Sequence, residues 1–124
     1  MSENEWAEPL PANCPPAEAK KPTGGTYYRV TQNPPREEDF DSFCILFPER
    51  VVPVNECEAR SCSLFDELTV VRGLLNFRKN KGKIITRITL PAESGVISKT
   101  GRPNHWSWWR RAEFQLLAHC EHEE

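Results

Sequence analysis

The 124-residue chain has no apolar run approaching the length of a membrane span, so insertion in a bilayer as a helix is not expected. Its opening, MSENEWAEPL, lacks both the basic start and the apolar stretch of a secretory leader, and the expected compartment is the cytoplasm. A dense cysteine framework is missing too. Cys14, Cys44, Cys57, Cys62 and Cys120 are odd in number and scattered, which favours reduced thiols, with Cys44 as a small hydrophobe in an apolar pattern. Cys57, Cys62, His119, Cys120 and His122 are zinc-ligand types, but adjacent His119 and Cys120 would point to opposite faces of a strand, and no metal site is expected. The chain contains no Gly-x-Ser-x-Gly elbow, no Walker or dinucleotide loop and no internal repeat, which removes the common sequence-marked nucleotide and hydrolase sites.

What is present is a segregation of charge and a cluster of tryptophans. The net charge of −2 conceals ten of the sixteen basic residues between positions 72 and 111, where Glu93 is the one acid. Such a stretch suits an acidic partner or phosphates, or it neutralises the acidic remainder within the fold. It closes on His105, Trp106, Trp108, Trp109, Arg110 and Arg111. Indoles beside guanidinium groups make either a core plug or a binding surface.

The length suits one domain with one core. Residues 1–25 carry five prolines and read as an extended or disordered arm, which Trp6 and Leu10 could pin to the body. Thr26 to Thr31 reads as a strand with Tyr28 and Val30 on one face and Tyr27, Arg29 and Thr31 on the other. Pro34-Pro35 opens a helix over Arg36 to Phe47, in which Phe40, Phe43, Cys44 and Phe47 form a stripe expected in the core. Arg50 to Arg60, with Pro53, reads as a loop or short edge strand. Ser61 to Phe65 reads as a strand leading into a second helix near Glu67 to Phe77, with Asp66 as its N-cap. Lys83 to Leu90 is the clearest strand, with Ile84, Thr86, Ile88 and Leu90 on one face. Phe114 to Cys120 reads as the last strand, and 121–124 as a frayed polar tail. The expected fold is a single α+β domain over residues 26–120: a mostly antiparallel twisted sheet, two helices and the N-terminal arm.

The order of TYYRV, SCSLFDELTVVRGLL, KIITRITLP with GVISKTG, and AEFQLLA resembles the core of small bacterial-type ADP-ribosyltransferase-like domains. The resemblance implies a site for NAD or a related nucleotide. Arg29 would take the early-strand arginine's place, Ser63 that of the middle-strand serine, and Glu113 that of the late catalytic glutamate. Tyr27, Tyr28 or a tryptophan such as Trp108 would stack on a ring of the cofactor. The middle segment reads Ser61-Cys62-Ser63 where the family has Ser-Thr-Ser. Glu113-Phe114-Gln115 replaces two glutamates separated by one residue, and Gln115 cannot act as an anionic base, so the expected catalysis is weak or lost. His105 is a further candidate acid, base or ribose contact, with a gap-filling ring under the indoles as its structural counterpart. The competing expectation is a non-enzymatic module that binds a protein partner or nucleic acid through a basic, tryptophan-rich face.

Overall fold

A computed structural model of the chain describes residues 5–51 and 55–123. The segments with the clearest two-residue alternation pair at the middle of one sheet. Strand β1 (Gly25–Thr31) runs antiparallel to β3 (Ile84–Leu90), in register from Gly25↔Leu90 to Thr31↔Ile84. Four further strands, β2 (Cys62–Phe65), β4 (Gly95–Lys99), β5 (His105–Arg110) and β6 (Cys120–Glu123), complete the antiparallel order β4-β5-β2-β1-β3-β6. Among the described residues three short helices accompany it: α1 (Phe43–Leu46), α2 (Glu56–Ala59) and α3 (Leu68–Leu74). The α+β class expected from the sequence is therefore present, and among the described residues no helix is long and apolar enough to cross a membrane.

Alternation along the strands divides the apolar residues between the two sheet faces. Tyr27, Cys62, Leu64, Ile88, Leu90, Ile97 and Trp108 share one face with Phe40, Phe114 and Leu116, which pack on it from outside the sheet. On the opposite face Phe65 and Ile85 lie with Val71 of α3, flanked by Tyr28, Val30 and Leu68. Each such buried side chain contributes about 1.5–3 kcal/mol through removal of apolar area from water.

The seam between β1 and β2 is narrow. Those strands share the single register pair Tyr28↔Phe65, whereas β2 and β5 share Cys62↔Trp108, Ser63↔Ser107, Leu64↔Trp106 and Phe65↔His105. Arg29 reinforces the seam from its side chain. Its Nη1 donates to the Ser63 carbonyl at 2.8 Å and its Nε to the Asp39 carbonyl at 2.6 Å.

Several sequence expectations are corrected. The helix over Arg36 to Phe47 is interrupted, because Asp41 and Ser42 are extended between a 3₁₀ turn (Glu37–Phe40) and α1. Glu8 of the N-terminal segment causes the break: its carboxylate accepts the Ser42 N–H at 2.9 Å and the Ser42 hydroxyl at 2.6 Å, capturing a donor that a continuous helix would use. The expected stripe is thereby split. Phe40 is buried, but Phe43 and Cys44 are half-buried and Phe47 is 40% exposed. Downstream, the tryptophan cluster is itself strand β5, and the expected last strand over Phe114 to Cys120 is mostly a 3₁₀ turn (Leu116–His119). The polar tail pairs with β3 through Ile85↔Glu123 to Ile88↔Cys120. Within Arg50 to Arg60, α2 replaces the loop or edge strand, while Pro53 lies outside the described residues. The N-cap position of α3 is Glu67, whose side chain makes no capping bond, and not Asp66, whose carboxylate instead accepts the Trp106 indole N–H at 2.8 Å.

The described part of the N-terminal segment, from residue 5 on, follows the body of the fold. Ala7 N–H donates to the Arg110 carbonyl, and Lys20 and Ile97 exchange backbone hydrogen bonds at 2.9 and 2.8 Å, covering the outer edge of β4. Cys14 and Cys57 form a disulfide, which overturns the expectation that all five thiols are reduced. Part of the charge segregation is resolved by pairing across the fold: Arg110 with Asp41, Arg111 with Glu5, and Arg87 with Glu121 and Glu123.

Two outcomes follow from these contacts. Alkylation of the denatured, unreduced protein is expected to label Cys44, Cys62 and Cys120 only, and mass spectrometry reads the number. In the folded protein Cys62 and Cys120 are expected to react slowly, because burial raises the Cys62 thiol pKa, and burial followed by the neighbouring Cys62 pushes Cys120 to about 11. Arg29→Met, which keeps the stem but removes the fork, is expected to lower stability by roughly 2–3 kcal/mol in chemical denaturation, the scale of lost charge-assisted hydrogen bonds.

Candidate functional site

The β2–β5 register decides which polar side chains meet. Cys62 and Leu64 face the larger core, so Ser63 and Phe65 face the other way. On β5 the partners of Ser63 and Phe65 are Ser107 and His105. A cleft of about 440 Å³ lies over this pair, lined by Ser63, His105 and Ser107 of the sheet, Glu58, Ala59 and Ser61 at and after α2, Phe43 of α1, and Gly101-Arg102 of the β4–β5 loop. Its volume falls in the range of small-molecule sites. A larger depression of about 770 Å³ runs along Trp6 to Leu10, but its one described carboxylate, Glu8, is already engaged by Ser42 and by Arg60 at 3.6 Å.

The β4–β5 loop places His105. Gly101 adopts φ +62°, a left-handed turn conformation that glycine takes without a side-chain clash, and the Thr100 N–H donates to the His105 carbonyl at 3.1 Å. The loop folds back over the imidazole. His105 Nδ1 lies 2.9 Å from the Thr100 carbonyl and 3.1 Å from the Thr100 hydroxyl. A carbonyl only accepts, so Nδ1 carries a proton, and in the neutral form of the ring Nε2 is the acceptor. Nε2 lies 3.0 Å from Ser63 Oγ and accepts its hydroxyl proton. Thr100 Oγ1 continues the network to Ser107 Oγ at 2.8 Å. The Phe65 ring meets the imidazole edge-on at 5.3 Å and sets its tilt from the other side.

Two sequence-predicted site residues, Ser63 and His105, are thus brought together. Tyr28 shares their sheet face but packs against the apolar cluster under α3. Arg29 lies on the opposite face, its guanidinium committed to the Ser63 and Asp39 carbonyls, and so does not reach the cleft in the way the resemblance implied. Trp108 is 1% exposed and its indole N–H donates to the Ser94 carbonyl, which corrects its assignment as a stacking platform. Trp109 is also buried, with its N–H on the Cys57 carbonyl. Glu113 is exposed on a separate depression with Glu93, Arg111 and His119, away from the Ser63–His105 pair, so the two do not form one site.

The residues missed were Glu58, Ser61, Phe43, Thr100 and Ser107. Alternation in His105-Trp106-Ser107 marked Ser107 as sharing a face with His105; nothing local marked Glu58, because its place depends on α2 folding over a strand pair formed by distant residues. Arg102, noted only for its charge, stands 5.7 Å over the Phe65 ring at the cleft wall. The assembled groups are a hydroxyl hydrogen-bonded to an imidazole, further hydroxyls, one carboxylate and one guanidinium. Searches of family models, curated proteins and solved structures returned no match to this chain.

Proposed function

We propose that the chain is a divergent ADP-ribosyltransferase-like domain that binds NAD or a related nucleotide in the Ser63–His105 cleft. The observation that carries this reading is the composition of one cleft: ribose-type hydroxyl partners (Ser63, Ser107), a guanidinium (Arg102), a carboxylate (Glu58) and an apolar wall (Phe43, Ala59). Guanidinium forks onto phosphate oxygens, a carboxylate stabilises positive charge at an anomeric carbon, and an aromatic wall receives a planar base. In this reading Arg102 and Glu58 take the roles that the resemblance gave to Arg29 and Glu113. In a thermal-shift titration, millimolar NAD is expected to raise the unfolding midpoint. Arg102→Ala should weaken binding about tenfold or more, corresponding to about 1.4 kcal/mol, while Glu113→Ala should not change it. An unchanged midpoint in millimolar NAD and in ADP-ribose would remove the reading.

A second reading keeps the non-enzymatic module but moves its surface. Phe77 is 53% exposed and is followed by exposed Arg78, Lys79, Lys81 and Lys83 in the α3–β3 connection, an aromatic next to cations. That combination suits single-stranded nucleic acid, with a base on the ring and phosphates on the cations. Binding of a labelled single strand is expected to weaken steeply with salt and to drop about tenfold in Phe77→Ala; a salt-insensitive signal would count against it.

A further inference from the structure

The Ser63–His105 pair has more chemistry than ribose binding requires. A serine is a poor nucleophile alone and becomes a good one when a neutral imidazole takes its proton during attack and a third group holds that imidazole in the right tautomer. All three parts are in place: Ser63 Oγ is 3.0 Å from His105 Nε2, and the Thr100 carbonyl, 2.9 Å from Nδ1, holds the proton on the far nitrogen. The carbonyl comes from the loop at Gly101, so the tautomer is set by backbone geometry. Ser63 also lines the cleft, where a bound molecule would meet its oxygen.

The remaining cleft groups bear on the choice of electrophile: Arg102 suits the phosphates of the nucleotide reading, which leaves Glu58 for the reacting centre. Acyl transfer develops negative charge on a carbonyl oxygen and calls for donors. Glycosyl transfer develops positive charge on a sugar ring and calls for a carboxylate. Glu58 supplies a carboxylate in the same cleft wall. We infer that Ser63 is a catalytic nucleophile that displaces nicotinamide from NAD with His105 as its general base, forming a covalent ADP-ribosyl-Ser63 intermediate; this rests on the nucleotide reading of the cleft.

The step balances without any further reactant. Ser63 Oγ forms a bond to the anomeric carbon of the nicotinamide ribose. The carbon–nitrogen bond breaks, and its electron pair neutralises the pyridinium nitrogen of departing nicotinamide. The serine proton passes to His105 Nε2, and the resulting imidazolium keeps its Nδ1–H on the Thr100 carbonyl. In the second half, water attacks the anomeric carbon and loses a proton to solvent, while the carbon–Oγ bond breaks with its electron pair on Ser63 Oγ, which takes the proton back from the imidazolium. The net reaction is hydrolysis of NAD to ADP-ribose, nicotinamide and a proton, with two inversions and therefore retention at the anomeric carbon.

The full chain, incubated with NAD and quenched in acid, is expected to gain one ADP-ribosyl group that peptide mapping places on Ser63. Turnover in aqueous methanol should yield methyl ADP-ribose of retained β configuration, which reports the covalent intermediate even if the adduct is short-lived. Ser63→Ala should abolish both signals. His105→Gln should slow both by about 100-fold or more, the usual contribution of a general base; Glu113→Ala should change neither. Thermal unfolding of each variant, with and without NAD, separates loss of chemistry from loss of fold or binding. NAD-dependent stabilisation with no Ser63 adduct and no β-methyl product, or with inverted product, would overturn the inference and leave the nucleotide reading in place. Failure of NAD to stabilise the wild-type chain would overturn both.

Discussion

The Arg29 fork is the contact on which the arrangement of the sheet depends. The six strands form two groups, β4-β5-β2 and β1-β3-β6, each internally well paired, and between β1 and β2 the register contributes one residue pair. Backbone pairing alone leaves that junction short, and a guanidinium adds directed, charge-assisted bonds where a ladder would otherwise supply neutral ones. Because Arg29 bonds to the Ser63 carbonyl, it fixes the residue whose side chain projects into the cleft from the other face. The early-strand arginine thus acts on the site through the backbone of β2. The edge-to-face contact of Tyr27 with Trp106, at 5.9 Å, brings apolar area to the same junction.

The strands with strong alternation were legible in sequence. Tyr27, Arg29 and Thr31 share a face, as do Ile84, Thr86 and Ile88, because a two-residue period needs no knowledge of the partner strand. The failures occurred where distant groups decide local structure. Phe40, Phe43 and Phe47 have helical spacing, yet Glu8 diverts the Ser42 N–H and ends the run. Nothing within Arg36 to Phe47 encodes that competition. Residues 121–124 look like a frayed polar end until β3 offers an open edge and Arg87 offers partners to Glu121 and Glu123.

The candidate site divides in the same way. Ser63 and His105 were legible as individual candidates, but their encounter follows from the register Phe65↔His105 and Ser63↔Ser107, which a single sequence does not state. Trp108 shows the opposite effect. Its conspicuous surroundings suggested a platform, whereas strand alternation turned it inward, between Phe40 and Phe114 at ring distances of 6.4 and 6.0 Å. The polar members of the same strand, His105 and Ser107, were left to face the cleft.

Glu58 connects the site to the N-terminal segment. It sits on α2, a helix of one turn, too short to hold its own conformation. Three contacts from outside hold this turn: the Cys14–Cys57 disulfide, the Trp109 indole N–H on the Cys57 carbonyl at 2.9 Å, and the pairing of Arg60 with Glu8 at 3.6 Å. Two of these reach back to residues 8 and 14. The proline-rich segment therefore braces the turn that carries Glu58 without itself lining the cleft. The ordering of α2 and the burial of Trp109 are then coupled, because the indole that plugs the sheet also caps the turn that carries Glu58. A tryptophan with no contact to the cleft would in this way position its one carboxylate.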